Sequence, residues 1–218
     1  MTDRITANSE SLQKAFPEIY KDLFSRCSIV CSAPGNFYWS GEYGVRYGGI
    51  AIKQNLPLRT YVGIEPGIEP GLTVAPIKHY IPSQKSFADY AASSQPTLDN
   101  VAACVADHFN HEHLRLPGMI IHAVMEVPPG CGLAASAAFA AALATTLHLY
   151  AKKLSDQTAA SWSHTPTEEL LRSAAFNDVF ALAWKIEDCI HGQSYLSSSG
   201  VGPFTSFVGS IYPIIYIR

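Results

Sequence analysis

The stretch Pro128-Pro129-Gly130-Cys131-Gly132-Leu133-Ala134-Ala135-Ser136-Ala137-Ala138 decides how the rest of the chain is read. Before it, Met119 to Val127 reads as a strand; after it, the alanine-rich segment Ala134 to Lys152 reads as a helix. The stretch is therefore a tight loop between a strand and a helix start. Gly130 and Gly132 allow backbone conformations closed to other residues, and small side chains from Ala134 to Ala138 let a ligand approach the backbone itself. The first N–H groups of a helix lack partners within it and carry partial positive charge, which suits a polyphosphate. The same composition also serves a turn and a small-residue helix packed tightly on a sheet, and the residues alone leave both readings open. Neither GxxxxGK[ST] nor GxGxxG occurs, so the loop is neither a Walker loop nor a dinucleotide fingerprint.

Working outward, apolar residues at helical spacing from Ser9 to Phe24 predict a helix that Pro17 kinks or starts. Cys27 to Cys31 predicts a strand that stops at Ala33-Pro34-Gly35. Gly48 to Ile52 and Leu58 to Ile64 predict two further strands, separated by a turn at Pro57. The repeated Gly-Ile-Glu-Pro unit from Gly63 to Gly71 is expected as an exposed hairpin tip. Thr97 to His108 predicts a capped helix and Thr167 to Ile190 one long buried helix. The serine-rich run Gln193 to Gly202 predicts a loop, and Phe207 to Ile217 a strand pair around Gly209-Ser210. Interleaved strands and helices give an α/β or α+β class. A chain that stops at Arg218, within apparent β structure, is expected to be part of a longer protein.

Composition narrows the function. A hydrophobic content of 48% over 218 residues supports a sizeable core. The net charge of -3, with no basic cluster, excludes nucleic acid as the partner. Charges scattered through the first thirty or so residues exclude a secretory signal, and Ala134 to Leu149 is too short and too interrupted to span a membrane. Five cysteines without a CxxC pair signal neither a disulfide framework nor a zinc site, and a cytoplasmic location is expected. His108, His111 and His113 with Glu112 admit a metal cluster, but a polar helix end accounts better for them. Phe37, Tyr38, Trp39 and Tyr47 admit stacking on a base or sugar, with core packing the favoured reading. Ser136 lacks the G-x-S-x-G setting of a hydrolase nucleophile.

Pro128 to Ala138 resembles the second motif of the galactokinase, homoserine kinase, mevalonate kinase and phosphomevalonate kinase (GHMP) superfamily, PxxxGLxSSAA, with Ala135 at the first of its two serines. Ser32-Ala33-Pro34-Gly35, followed by Gly41-Glu42 and Gly48-Gly49, resembles the first motif, SAPGxxxxxGEHxxxxGG. Glu187 with His191-Gly192 resembles the E-x-x-x-H-G segment of mevalonate kinases, and its spacing puts both side chains on one helix face. The resemblance implies an α+β fold, ribosomal protein S5 domain 2-like, with a mixed sheet packed with helices. It also implies that residues 1–218 are an amino-terminal ATP-binding domain, since the family's glycine-rich third motif has no counterpart before Arg218.

By the same resemblance, Pro128, Gly130, Cys131, Gly132, Leu133, Ala134, Ala135, Ser136 and Ala137 bind nucleotide, and Ser136 and Glu187 hold Mg2+. One carboxylate plus one hydroxyl suits that ion, which keeps waters and phosphate oxygens as further ligands. Asn36, Glu42, Tyr43 and His191 are expected at the substrate. The implied reaction is ATP-dependent phosphorylation of a hydroxyl on a small molecule such as mevalonate or a sugar. The chain departs from the pattern at three places. Asn36 stands where a lysine or arginine often follows Ala-Pro-Gly, Tyr43 replaces the histidine of Gly-Glu-His, and Gly202 falls where the catalytic aspartate is expected. A glycine neither removes a proton nor holds a cation, so the competing expectation is a nucleotide-binding or regulatory module without catalysis.

Overall fold

Strand alternation sets the architecture, as the computed structural model shows over residues 8–90, 95–111, 117–192, 198–208 and 212–217. Along β6 (Met119–Met125), Met119, Ile121, Ala123 and Met125 join the main core while Val124 joins a smaller cluster on the opposite face. The long strand β2 (Ile50–Pro66) divides in the same way, with Val62 and Ile64 in the main core and Tyr61 in the smaller cluster. Successive strand side chains point to opposite faces, so one sheet is covered on both.

β1 (Ile29–Ser40) pairs antiparallel with β2, and β2 pairs antiparallel with β6. On its other side β6 pairs parallel with β3 (Leu72–Val74) and β4 (Lys78–Ile81), and β4 pairs antiparallel with β5 (Ser86–Asp89). β7 (Ile214–Ile217) pairs with the first residues of β2, completing a mixed sheet of seven strands among the described residues. α3 (Gln95–His111), α4 (Ala135–Tyr150), α7 (Ala174–His191) and α8 (Val201–Val208) contribute to the main core. α4 is apolar all round because it lies between β1 and β2 on one side and α7 and α8 on the other. The short helices α5 (Asp156–Ser161) and α6 (Thr167–Arg172) connect α4 to α7.

On the opposite face α1 (Ser9–Ala15), capped by Asn8, leads into α2 (Pro17–Arg26), whose Tyr20 and Leu23 pack on Tyr61 and Val124. This layer is tied down by the fully buried Glu126. Its carboxylate accepts hydrogen bonds from Tyr20 Oη (2.7 Å), Ser9 Oγ (2.9 Å) and the backbone N–H of Arg59 (2.8 Å). Burial raises the Glu126 pKa, and these donors oppose the shift.

The α+β class, with a mixed sheet packed with helices, stands as expected, while several element boundaries differ. β1 does not stop at Ala33-Pro34-Gly35 but runs through it, with a register shift between Pro34 and Asn36. Pro57 lies across from that irregular stretch, where no ladder hydrogen bond is required of it, so β2 is one strand and not two. The Gly63 to Gly71 repeat is no hairpin tip. β2 continues to Pro66, Gly67 N donates to Gly118 O (2.8 Å), and β3 then pairs parallel with β6. The expected helix over 167–190 is split at Ser173, whose Oγ accepts from Phe176 N and caps α7. Phe207 lies in α8, not in a strand, and the expected turn at Gly209-Ser210 is outside the described residues.

Candidate functional site

The two sequence motifs meet across the sheet edge. Asn36 N donates to Leu133 O (3.1 Å), tying β1 to the glycine loop. A Cβ on Gly35 would stand 2.7 Å from Val127 Cγ2 and 2.9 Å from Leu133 O, so only glycine permits this approach. In the loop Gly130 and Gly132 have φ of 75° and 70°, and Ala134, the N-cap of α4, has φ 54° and ψ 42°. No side chain caps the α4 N-terminus, so its first N–H groups face outward with the partial positive charge of the helix behind them.

These groups line a cavity of about 510 Å³. The glycine loop and the start of α4 contribute Pro129, Gly130, Gly132 and Leu133 to Ser136; β1, β2 and the segment between them contribute Asn36, Tyr38, Glu42, Tyr43, Arg46 and Lys53; Glu187, His191 and Gly202 come from the helical side. Ile77, Leu98 and Met125 give the cavity an apolar part. Ser136 Oγ lies 3.1 Å from His191 Nε2. Glu187 is buried at 6% exposure, and burial raises its carboxyl pKa against the opposing pull of a Ser198 hydrogen bond and the positive charges of His191 and Lys53. Among the described residues no cation lies within ion-pair distance of it, neither Arg172 nor Lys185.

At Gly202, where the resemblance implies an aspartate, the backbone packs against Glu187 and Ala137. A Cβ there would meet Glu187 Oε1 at 2.6 Å and Ala137 Cβ at 3.0 Å. The Glu187 carboxylate occupies the space a longer side chain at 202 would need. Asn36 reinforces the arrangement, donating from Nδ2 to Gly202 O (3.1 Å) and Ser206 Oγ (2.9 Å) and so fixing the start of α8 against β1.

Of the residues expected from sequence, the cavity gathers Gly130, Gly132, Leu133, Ala134, Ala135, Ser136, Asn36, Glu42, Tyr43, Glu187, His191 and Gly202. Pro128, Cys131 and Ala137 are not among its lining residues: Pro128 and Ala137 are buried, and Cys131 faces solvent with Sγ directed at Pro129 O. The aromatic run differs from the favoured core reading. Trp39 and Tyr47 are exposed, and Tyr38 lines the cavity. His108 turns toward His148 and Asp178, whose carboxylate Lys153 holds at 2.7 Å, while 112–116 are outside the described residues.

Sequence reasoning missed Lys53 and Arg46. Lys53 is 1% exposed and lies on the cavity wall, 4.0 Å above the centre of the Tyr38 ring. The signal was present: in Ile50-Ala51-Ile52-Lys53-Gln54-Asn55 the inward phase of a strand carries Ala51, Lys53 and Asn55. Ending the strand at Ile52 hid it.

Residues 100–195 match the family model described as the GHMP kinases N terminal domain. No curated protein matches by sequence. Among solved structures, the L. major mevalonate kinase in complex with R-mevalonate is similar at TM-score 0.55 and 23% identity, over 88% of this chain and 49% of that one. Lactococcus lactis galactokinase complexed with galactose is similar at TM-score 0.53 and 14% identity, over 94% and 52%. Mevalonate kinase from Staphylococcus aureus MRSA252 follows at TM-score 0.54 and 17% identity, over 85% and 54%. The chain thus spans about half the length of these relatives. The matches support the GHMP superfamily and the fold of its amino-terminal domain. Among the described residues no helix is long and apolar enough to cross a membrane.

Proposed function

We propose that this GHMP-type chain is the nucleotide-binding domain of a small-molecule kinase that transfers a phosphoryl group from ATP to a hydroxyl with the help of Mg2+. One observation carries the reading: the uncapped α4 N-terminus, the glycine loop, the Ser136 hydroxyl and the Glu187 carboxylate, buried without an ion pair among the described residues, all line one cavity. The donor set fits the implied groups. Backbone N–H groups at a helix start donate hydrogen bonds to phosphate oxygens, and a carboxylate with a hydroxyl supplies the hard oxygen ligands magnesium prefers.

When bound, ATP brings the phosphoryl group and magnesium screens its charge. The residues of this chain would act around them. Gly130 to Ala135 would cradle the phosphates, with Ser136 and Glu187 as metal ligands and His191 orienting the Ser136 hydroxyl. Asn36, Glu42 and Tyr43 line the same cavity and would meet the acceptor, and mevalonate-like acids and sugars are the classes to try first. As an amino-terminal domain, the chain would work with a carboxy-terminal partner domain. The five free cysteines suit a reducing cytoplasm.

A second reading, a nucleotide-binding module without catalysis, is favoured by Gly202, which stands where an aspartate is expected and could carry a side chain only if Glu187 moved. Calorimetry with an ATP analogue, with and without magnesium, tests binding. A phosphorylation assay over a panel of polyols, sugars and hydroxy acids then separates enzyme from binder. Turnover by residues 1–218 alone would remove the module reading, and absence of nucleotide binding would remove both.

A further inference from the structure

Lys53 is a cation on the cavity wall that is buried without an ion pair among the described residues. It sits on β2 directly across from Tyr38 on β1, and two residues along Asn55 sits across from Asn36. Directly paired residues share a sheet face, and so do residues two apart. Asn36, Tyr38, Lys53 and Asn55 therefore form one quartet on the cavity side of the sheet, and three of the four line the cavity.

This quartet is polar where the rest of that face is apolar, and it is incompletely satisfied. Among the described residues Lys53 Nζ makes no hydrogen bond or ion pair; its recorded contact is the Tyr38 ring. Asn36 is fully buried and its Oδ1 has no partner, while both amide atoms of Asn55 are buried and unpartnered. Glu187 and Glu42 are close enough to act on Lys53 electrostatically yet form no ion pair with it. A buried cation is costly unless something pairs with it. Glu187 and Glu42 line the same cavity without pairing with Lys53, so the missing partner is an anion that enters the cavity from solvent.

From this geometry, and resting on the nucleotide-kinase reading above, we infer that Lys53 is the cation that binds the terminal phosphate of the bound nucleotide. The loop 130–136 would hold the phosphates and Glu187 would hold the metal; Lys53 lines the same cavity, close enough to Glu187 for the two charges to interact. Of the Lys and Arg side chains that line the cavity, Arg46 is partly exposed and Lys53 is buried, while Asn36, the residue after Gly35, brings no charge and its amide is already engaged on α8. The unpartnered Asn36 Oδ1 and Asn55 amide leave room in the same quartet for a water or an acceptor hydroxyl.

The test is calorimetric titration of the full chain with AMP-PNP and with ADP, both in magnesium, for the parent protein, Lys53→Met and Lys53→Arg. Methionine keeps the unbranched stem and removes the charge; arginine keeps the charge and guards against a folding artefact, with thermal melts run on all three. Expected is a loss of about tenfold or more in AMP-PNP affinity for Lys53→Met, most of it restored in Lys53→Arg, with ADP affinity unchanged within about twofold. Equal AMP-PNP affinity in the parent and a folded Lys53→Met would overturn the inference while leaving the nucleotide reading intact. Equal losses for ADP and AMP-PNP would overturn the assignment to the terminal phosphate. Failure of the parent protein to bind either nucleotide would sink the reading beneath it.

Discussion

Replacing Lys53 by methionine should stabilise the ligand-free protein at neutral pH. Burial lowers the Lys53 pKa from 10.5 to about 8, with Glu187 and Glu42 opposing the shift. At about 1.4 kcal/mol per pKa unit, the folded state carries a cost of roughly 3 kcal/mol while the ammonium is charged. The Tyr38 ring returns about 1 kcal/mol that methionine recovers only in part. A net gain of about 2 kcal/mol should raise the Tm by roughly 4–8 °C for a chain of this size. The pH dependence follows from the folded pKa lying below the unfolded one. Below about pH 8 both states hold the proton and the cost is full. Between about 8 and 10.5 only the unfolded state keeps it, so the parent gains stability as pH rises and the advantage of methionine shrinks to nothing. Urea denaturation of both proteins across this window measures the difference, and titration of tyrosines and cysteines common to both largely cancels. A methionine variant less stable than the parent near neutrality, or an advantage that stays constant through the window, would refute the reasoning.

Four further outcomes are expected. Glu187→Gln should weaken nucleotide binding in magnesium much more than in its absence, because only the metal-bound part depends on the carboxylate charge; equal affinities by calorimetry would make Glu187 structural. Gly132→Val should remain folded, since the space around the position is open. At φ 70°, however, valine costs about 1–3 kcal/mol, and its side chain blocks the phosphate path, so nucleotide binding should be lost. Gly202→Ala should push the Glu187 carboxylate aside, costing about 1–3 kcal/mol in urea denaturation and a larger share of magnesium-dependent affinity. Tyr20→Phe removes one of three donors to the buried Glu126 and should cost about 1.5–3 kcal/mol by the same assay, with nucleotide binding unchanged.

The sequence carried the fold class and most of the cavity because both rest on local signals. Glycines at positive φ, an alanine-rich helix start and a glutamate one turn before a histidine are legible without tertiary structure. Boundaries failed where tertiary contacts override local preference. Ala33-Pro34-Gly35 has the composition of a strand terminator, yet the strand continues because Gly35 must lie against Val127 and Leu133 O. Pro57 reads as a turn, yet it falls where the partner strand is already irregular. Phe207 alternates like a strand residue and is helical, because Asn36 anchors the start of α8 from a strand far away in sequence. The same boundary error concealed Lys53, since a strand ended at Ile52 leaves the next residue in a solvent-facing turn where a lysine needs no explanation.

The packing of Gly202 against Glu187 bears on whether such a site can work without an aspartate. The two positions form one solution: with the carboxylate of Glu187 within 2.6 Å of where a Cβ would stand, residue 202 is glycine or Glu187 moves. On the proposed reading the site keeps one buried carboxylate where the family pattern has two. Transfer of a phosphoryl group through a loose transition state needs little proton removal from the acceptor before the new bond is well advanced, and depends mainly on alignment and on cations around the phosphate oxygens. A missing base is then a smaller loss than a missing cation. Asn36 cannot supply that charge, His191 is turned to Ser136, and Arg46 is partly exposed. On the proposed reading Lys53, held on the cavity wall at a cost in stability, supplies it, and the arrival of a phosphoryl donor would relieve that cost.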